Sequence, residues 1–165
     1  MRAWVAGLAV LAAACSKGSS DRAATAKTDA PKVAAAGAAD ACSLVTASEA
    51  HNLLGGSTTQ LKQDGGSAGY DQCQYTHEGA HIADMATLTI QRLPVGLAAK
   101  RQALATNGDK FEEVAGVGDG ALWVPGMSFL YVGHGNETLV ASIASNSADT
   151  KAKSIELARL ALPRM

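Results

Sequence analysis

Two histidines and an aspartate are spaced in the sequence like ligands of a metal ion. His77 and His81 stand four residues apart, and Asp84 follows shortly after. On a helix this spacing would place both imidazoles on one side, as zinc sites require. Gly79 lies between the histidines and disfavours a helix. We therefore expect solvated loop histidines and no cofactor, with a metal site as the alternative.

The two cysteines of the predicted domain indicate a crosslink. Neither Cys42 nor Cys73 belongs to a C-x-x-C pair, so a metal or redox site is the minor interpretation. Cys42 precedes the first predicted helix, and Cys73 lies in the first clear strand. A disulfide between them would join that helix to the sheet. Closing the loop between Cys42 and Cys73 would stabilise the fold by roughly 3–4 kcal/mol in the chain-entropy model.

A glycine-rich segment, Gly116-Val-Gly118-Asp-Gly120, is similar to a phosphate-binding loop. Such loops follow a strand and open a helix, whose N-terminal amides face the anion. Here the apolar residues 121–124 follow, and they predict a strand. We therefore expect a turn with positive φ angles and no nucleotide site.

Enzyme chemistry has no local signal in this chain. No G-x-S-x-G or comparable motif marks a nucleophile, so a non-enzymatic protein is predicted, and a hydrolytic envelope enzyme remains an alternative. Trp123 and Tyr131 fall on neighbouring predicted strands and could line a binding groove. One aromatic ring per strand is also typical of packing beneath a helix.

The N-terminus is typical of an export signal. Residues 3–14 are apolar, a length that suits a signal peptide and is too short to span a bilayer. Leu-Ala-Ala-Ala-Cys at 11–15 resembles the lipobox of bacterial lipoproteins, whose cysteine becomes the lipidated N-terminus. Lipidation of Cys15 also leaves an even pair of cysteines. The sequence thus predicts a signal peptide at 1–14; a secreted soluble protein and an uncleaved anchor are the alternatives.

A tether is expected between the lipidated cysteine and the domain, over residues 15–41. After Cys15 this stretch holds Ala, Ser, Thr, Gly, Lys, Arg and Asp with one Pro and one Val, too little large apolar surface to fold. A partly helical alanine-rich segment is the alternative. Ser16, directly after the cysteine, resembles the residue that directs lipoproteins to the outer membrane in bacteria with two membranes. The expected location is therefore the cell envelope, on the outer membrane facing the periplasm in such a cell.

Charge and composition restrict the partners. The chain has 14 basic and 15 acidic residues, and aromatic residues make up 4% of it. No basic stripe is available for nucleic acid, and few rings are available for stacking on bases. The expected partners are the membrane, through the N-terminal lipid, and an envelope protein or a small-molecule ligand.

Residues 42–165 predict a single α+β domain. Thr46 and Glu49 form a capping box that starts a helix, and Gly55 ends it. Residues 85–93 alternate between apolar and polar side chains, as a half-buried strand does. Amphipathic patterns predict further helices at 96–107 and 147–162. The resulting order is helix, strands, helix, strands, helix, with an antiparallel sheet of five to six strands and helices packed on one face.

Three short motifs of this domain resemble a set of small uncharacterised bacterial lipoproteins. These motifs are the opening Cys-x-Leu-Val-Thr-x-x-Glu-Ala at 42–50, the Cys-x-Tyr at 73–75, and the Gly-x-Gly-Asp-x-Ala-x-Trp at 116–123. The resemblance spans most of residues 42–162. It implies a lipid-anchored α+β domain with a cysteine pair and transfers no catalytic residue. The expected function is therefore a non-enzymatic binding or protein-interaction module of the envelope.

Overall fold

The structure is a computed structural model, and it describes residues 40–64, 69–79 and 85–165. The predictions for the signal peptide, Cys15, the tether up to residue 39, His81 and Asp84 lie outside these residues. Among the described helices, none combines the length and the apolar character that a membrane span needs.

Within the described residues, three helices and seven strands follow one another in the predicted order of helix, strands, helix, strands, helix. The helices are α1 (Ala47–Leu54), α2 (Leu97–Asn107) and α3 (Thr150–Ala161). The strands are β1 (Thr59–Asp64), β2 (Asp71–His77), β3 (Ala86–Leu93), β4 (Glu112–Val114), β5 (Ala121–Val124), β6 (Phe129–His134) and β7 (Glu137–Ala144). Short 3-10 turns precede α1 at Ala41–Ser43 and follow α3 at Leu162–Arg164.

The strands form one antiparallel sheet with the order β1-β2-β3-β7-β6-β5-β4. The α+β class is confirmed, but the predicted five to six strands are too few. The exposed strand β1 pairs with β2 along its whole length, and the three-residue β4 pairs with β5. The edge strands β1 and β4 therefore belong to the same open sheet, which brings it to seven strands within the described residues.

The front face of the sheet, defined here as the face under α1 and α3, carries the larger core. Leu88, Ile90, Leu139 and Ile143 from the central strands pack there with the apolar side chains of the two helices. The Tyr75 hydroxyl, buried in this core, donates to the Val45 carbonyl at 2.6 Å. That hydrogen bond satisfies a polar group that would otherwise cost free energy on burial.

Helix α2 packs on the opposite face, which we call the back face. Its Leu104 joins a second core made by the residues of β5, β6 and β7 that point away from α1 and α3, namely Leu122, Val124, Tyr131 and Val140. The prediction that all helices cover one face is therefore wrong. The sheet is covered on both faces at β5–β7 and, within the described residues, only on the front at β2 and β3.

The burial patterns of the strands differ according to whether one face or both faces of the sheet are covered. In β2 and β3 buried and half-buried residues alternate, as expected for strands with one covered face. In β5 and β7 successive residues are buried, because both faces are covered. The uninterrupted apolar run Ala121–Val124 is the sequence signal for this arrangement.

The sheet has a proximal end, where the chain enters the domain at Asp40, and a distal end. The amide of Ala41 donates to the Asp71 carboxylate at 2.6 Å, and Asp71 is the first residue of β2. Lys62 forms an ion pair with Asp40 at 2.5 Å, close to the same end of β1. Strands β2, β5 and β7 all run from the proximal toward the distal end.

Candidate functional site

A pocket opens near the distal end on the back face, between the end of α2 and the β5–β6 turn. It is lined by Gly108, Asp109, Lys110, Val124, Pro125, Gly126 and Met127 and has a volume of about 450 Å³. We call it the hairpin pocket. Its volume falls within the range of small-ligand sites, and its surface is predominantly apolar.

The β5–β6 turn fixes the lip of the hairpin pocket. Pro125 presets the backbone angle at the start of the turn. The Met127 amide donates to the Val124 carbonyl at 3.2 Å, and the Ser128 amide donates to Pro125. Ser128 has a φ of 54°, an uncommon value for a residue other than glycine. The turn leaves the Met127 side chain 40% exposed over the pocket.

Tyr131 lies on the back face close to this pocket. Its ring contacts Phe129 edge to face at 6.1 Å between centroids, and the Lys100 ammonium lies 4.4 Å from its centroid. Burial raises the pKa of Tyr131 to about 12, and the negative charge of Asp109 adds to the shift. Asp109 also lines the hairpin pocket.

A second cleft opens on the front face at the distal end, between α1 and the start of α3. It has a volume of about 290 Å³ and is lined by Leu53, Leu54, Met85, Ala86, Ile143, Ser145, Asn146, Ser147 and Lys153. We call it the α1–α3 cleft. Its lining combines apolar and polar side chains, and the lining residue Met85 is 44% exposed.

The back face of β1, β2 and β3 carries no described helix and is lined by uncharged polar side chains. These residues alternate with the front-face core residues and are Thr59, Gln63, Gln72, Gln74, Thr76, Thr87, Thr89 and Gln91, with Leu61 among them. Gln72 donates to Gln63 at 2.7 Å across two strands. A sheet face of this composition is stable in water without a covering helix.

His77 ends strand β2 and is engaged with the backbone. Its Nδ1 lies 2.9 Å from the Ser57 carbonyl oxygen, and its ring packs against Gly56 so closely that a Cβ there would overlap it. The other predicted ligands, His81 and Asp84, are outside the described residues. Within the described part of the chain, no three metal-ligating side chains are grouped together.

Cys42 and Cys73 form the predicted disulfide. The bond joins the 3-10 turn before α1 to strand β2, on the front face of the sheet. In this state neither sulfur is a free nucleophile or a metal ligand.

Trp123 and Tyr131 do not form the groove that was predicted from their neighbouring strands. Trp123 is paired with Leu130, while Tyr131 is paired with Leu122. This register puts the Trp123 ring in the front core and the Tyr131 ring in the back core. The two aromatic residues are therefore separated by the sheet, and both are buried.

The sequence reasoning missed Met85 and Met127, the two exposed methionines beside the pockets. Exposed, flexible methionine is frequent on surfaces that adapt to apolar partners. The available signal was the position of Met127, directly after a Pro-Gly turn between two apolar strands.

Comparisons with models of known protein families, with curated proteins and with solved structures gave no match for this chain.

Proposed function

We propose that the protein is an exported lipoprotein of the bacterial envelope, anchored through Cys15, whose domain at 42–165 is a non-enzymatic binding module. The signal-like residues 1–14, the lipobox-like residues 11–15 and the resemblance of the domain to small bacterial lipoproteins support this proposal. Residues 15–41 then form the tether. In a bacterium with two membranes, the protein faces the periplasm from the outer membrane.

The observation that carries the binding role is the position of the hairpin pocket relative to Asp40. Val124 lies about three residues further along the strand direction than Asp71, or roughly 10 Å. Its strand β5 is four positions away from β2 in the sheet, or roughly 19 Å. An apolar pocket so far from the chain's entrance remains accessible when the N-terminus is held at a membrane.

The occupant that fits the hairpin pocket is an apolar side chain of an envelope protein. The pocket offers Val124, Pro125 and Met127 as apolar surface, which supplies the free energy of association. Asp109 and Lys110 at the rim provide one charge of each sign, which suits the mixed polar surface around an anchor residue of a protein. Anchor side chains buried in such pockets carry most of the affinity of protein interfaces.

A photo-crosslinking amino acid at position 127 tests this site in the native cell. We expect a crosslink to one envelope protein from position 127 and none from position 61. Leu61 is even more exposed than Met127, at 52% against 40%, but it lies on β1, far from the pocket. Binding of the purified partner should then weaken at least tenfold for Met127→Asp and stay within twofold for Leu61→Asp. Equal affinity of the two variants, or no crosslink from position 127, contradicts the assignment.

The intact mass of the protein tests lipidation at Cys15 independently of the hairpin pocket. Protein purified from the native membrane fraction should have the mass of residues 15–165 plus acyl groups. An unlipidated mass that begins at another residue contradicts anchoring at Cys15.

A further inference from the structure

We propose that the α1–α3 cleft binds a small carboxylic acid with an apolar body of about ten non-hydrogen atoms. This site is separate from the hairpin pocket, because it lies on the other face of the sheet and is formed by other elements. It assigns the domain a small-molecule ligand in addition to a protein partner.

The apolar lining residues of the cleft set the apolar part of the ligand. Leu53, Leu54, Ala86 and Ile143 are buried residues that line the cleft. The exposed lining residue Met85 is flexible enough to adjust to ligands of different shape. The volume of about 290 Å³ equals the space of roughly ten water molecules. A long acyl chain therefore exceeds the cleft, whereas a single aromatic ring or a branched aliphatic group fits it.

The rim sets the charge of the ligand. Among the lining residues, Lys153 is a cation, Ser145, Asn146 and Ser147 are neutral and polar, and none is acidic. The Ser145 hydroxyl oxygen accepts from the Ser147 amide at 3.3 Å, which leaves its own hydrogen to donate. An ammonium and a hydroxyl donor beside apolar lining residues select a carboxylate over a neutral group.

Lys153 is held loosely enough to exchange its partner. Its ammonium lies 3.7 Å from the carboxylate of Asp149, the N-cap residue of α3, whereas the Arg164–Glu49 pair has a distance of 2.7 Å. Ser147 also donates a hydrogen bond to the Asp149 carboxylate, so that carboxylate keeps a donor when Lys153 turns to a ligand. A solvent-exposed pair of this kind contributes little to stability.

Phenylacetate and phenylacetamide are matched probes of the proposal, because they have the same shape and differ in charge. We would titrate each into ¹⁵N-labelled mature chain, residues 15–165 with Cys15→Ser, and follow backbone amide shifts. Phenylacetate should shift the amides of Leu54, Ala86 and Ser145 and should bind at least about fivefold more tightly than phenylacetamide.

Two lysine variants separate the rim contact from a general charge effect. Lys153→Gln should remove the preference for phenylacetate. Lys151→Gln, on the same helix, removes the same charge at a residue that pairs with Glu112 outside the cleft, and it should preserve the preference. Equal affinity for both probes, no shifts at 20 mM, or shifts confined to Gly126 and Met127 would overturn the proposal. None of these outcomes affects the crosslinking test at position 127.

Discussion

Arg164 and Glu49 form a two-point ion pair that joins the last turn of the chain to the first helix. The two terminal guanidinium nitrogens of Arg164, Nη1 and Nη2, each lie 2.7 Å from a different Glu49 oxygen. Arg164 also donates to the Leu44 carbonyl at 2.9 Å. Glu49 in turn accepts from the Thr46 amide in the capping box of α1. One carboxylate therefore caps α1 and holds the C-terminus of the domain.

The Glu49–Arg164 pair predicts a pH-dependent contribution to stability. Hydrogen bonding to Arg164 lowers the pKa of Glu49 from 4.5 to about 2. Because the folded-state pKa is the lower one, the contribution is present above pH 4.5 and is lost as the pH falls toward 2. Glu49→Gln preserves the capping box, which accepts glutamine. It should lower Tm by about 2–4 °C at pH 7 and have no effect near pH 2, as measured by thermal unfolding.

Glu113→Gln is the control for the Glu49 variant, because it removes an exposed ion pair with Arg101. It should change Tm by less than about 1 °C at both pH values. A Tm loss for Glu49→Gln that is the same at pH 2 and pH 7 would show that the charge is not the cause.

A side chain at position 118, in the turn before β5, should overlap neighbouring backbone atoms. A Cβ at this residue would lie 2.5 Å from the Gly133 carbonyl oxygen, and its φ is +56°. Gly118→Ala should therefore lower the free energy of unfolding by about 3 kcal/mol, from backbone strain and overlap together. Gly116→Ala is the control, since φ there is +74° and the space is open; about 1 kcal/mol is expected. Urea unfolding measures both, and equal losses would contradict the close approach.

The disulfide predicts a large stability difference between the oxidised and reduced protein. Cys42 and Cys73 are separated by 31 residues. Reduction, or the double substitution Cys42→Ala and Cys73→Ala, should lower the free energy of unfolding by about 3–4 kcal/mol. The double variant should not respond to reductant, which makes it the control. A loss below about 1 kcal/mol would show that the crosslink constrains the unfolded chain little.

Tyr131 predicts a loss of stability in alkali. Its pKa is raised from 10 to about 12, so the neutral phenol is favoured in the folded state. The contribution is complete below pH 10 and is lost as the pH rises toward 12. The stability of the wild type should fall faster than that of Tyr131→Phe between pH 10 and 11.5 in urea unfolding. Parallel curves would mean that the phenol ionises as freely as in the unfolded chain.

Local features of the fold were predictable, because they depend on neighbouring residues. The capping box of Thr46 and Glu49 and the left-handed Gly55 define α1 as expected. The alternating residues of β3 gave its buried face. The disulfide followed from the absence of C-x-x-C spacing and from the number of cysteines.

Features that depend on strand register and on distant contacts were not predictable. Trp123 and Tyr131 fall on opposite faces because Trp123 pairs with Leu130, and a shift of one residue would reverse that result. Neither the side of the sheet chosen by α2 nor the Arg164–Glu49 pair has a local signal, since each joins residues far apart in the chain. The two pockets share this property and became visible only in the folded domain.

The crosslink also bears on the order in which the domain is assembled. When a chain crosses a membrane with its N-terminus leading, Cys42 and Cys73 both emerge before β3. They also emerge before β7, which lies beside β3 in the completed sheet. The bond can therefore close on a half-delivered polypeptide in an oxidising compartment. In the exported lipoprotein that we propose, closure of the bond at this stage would narrow the conformational search of the strands that arrive later.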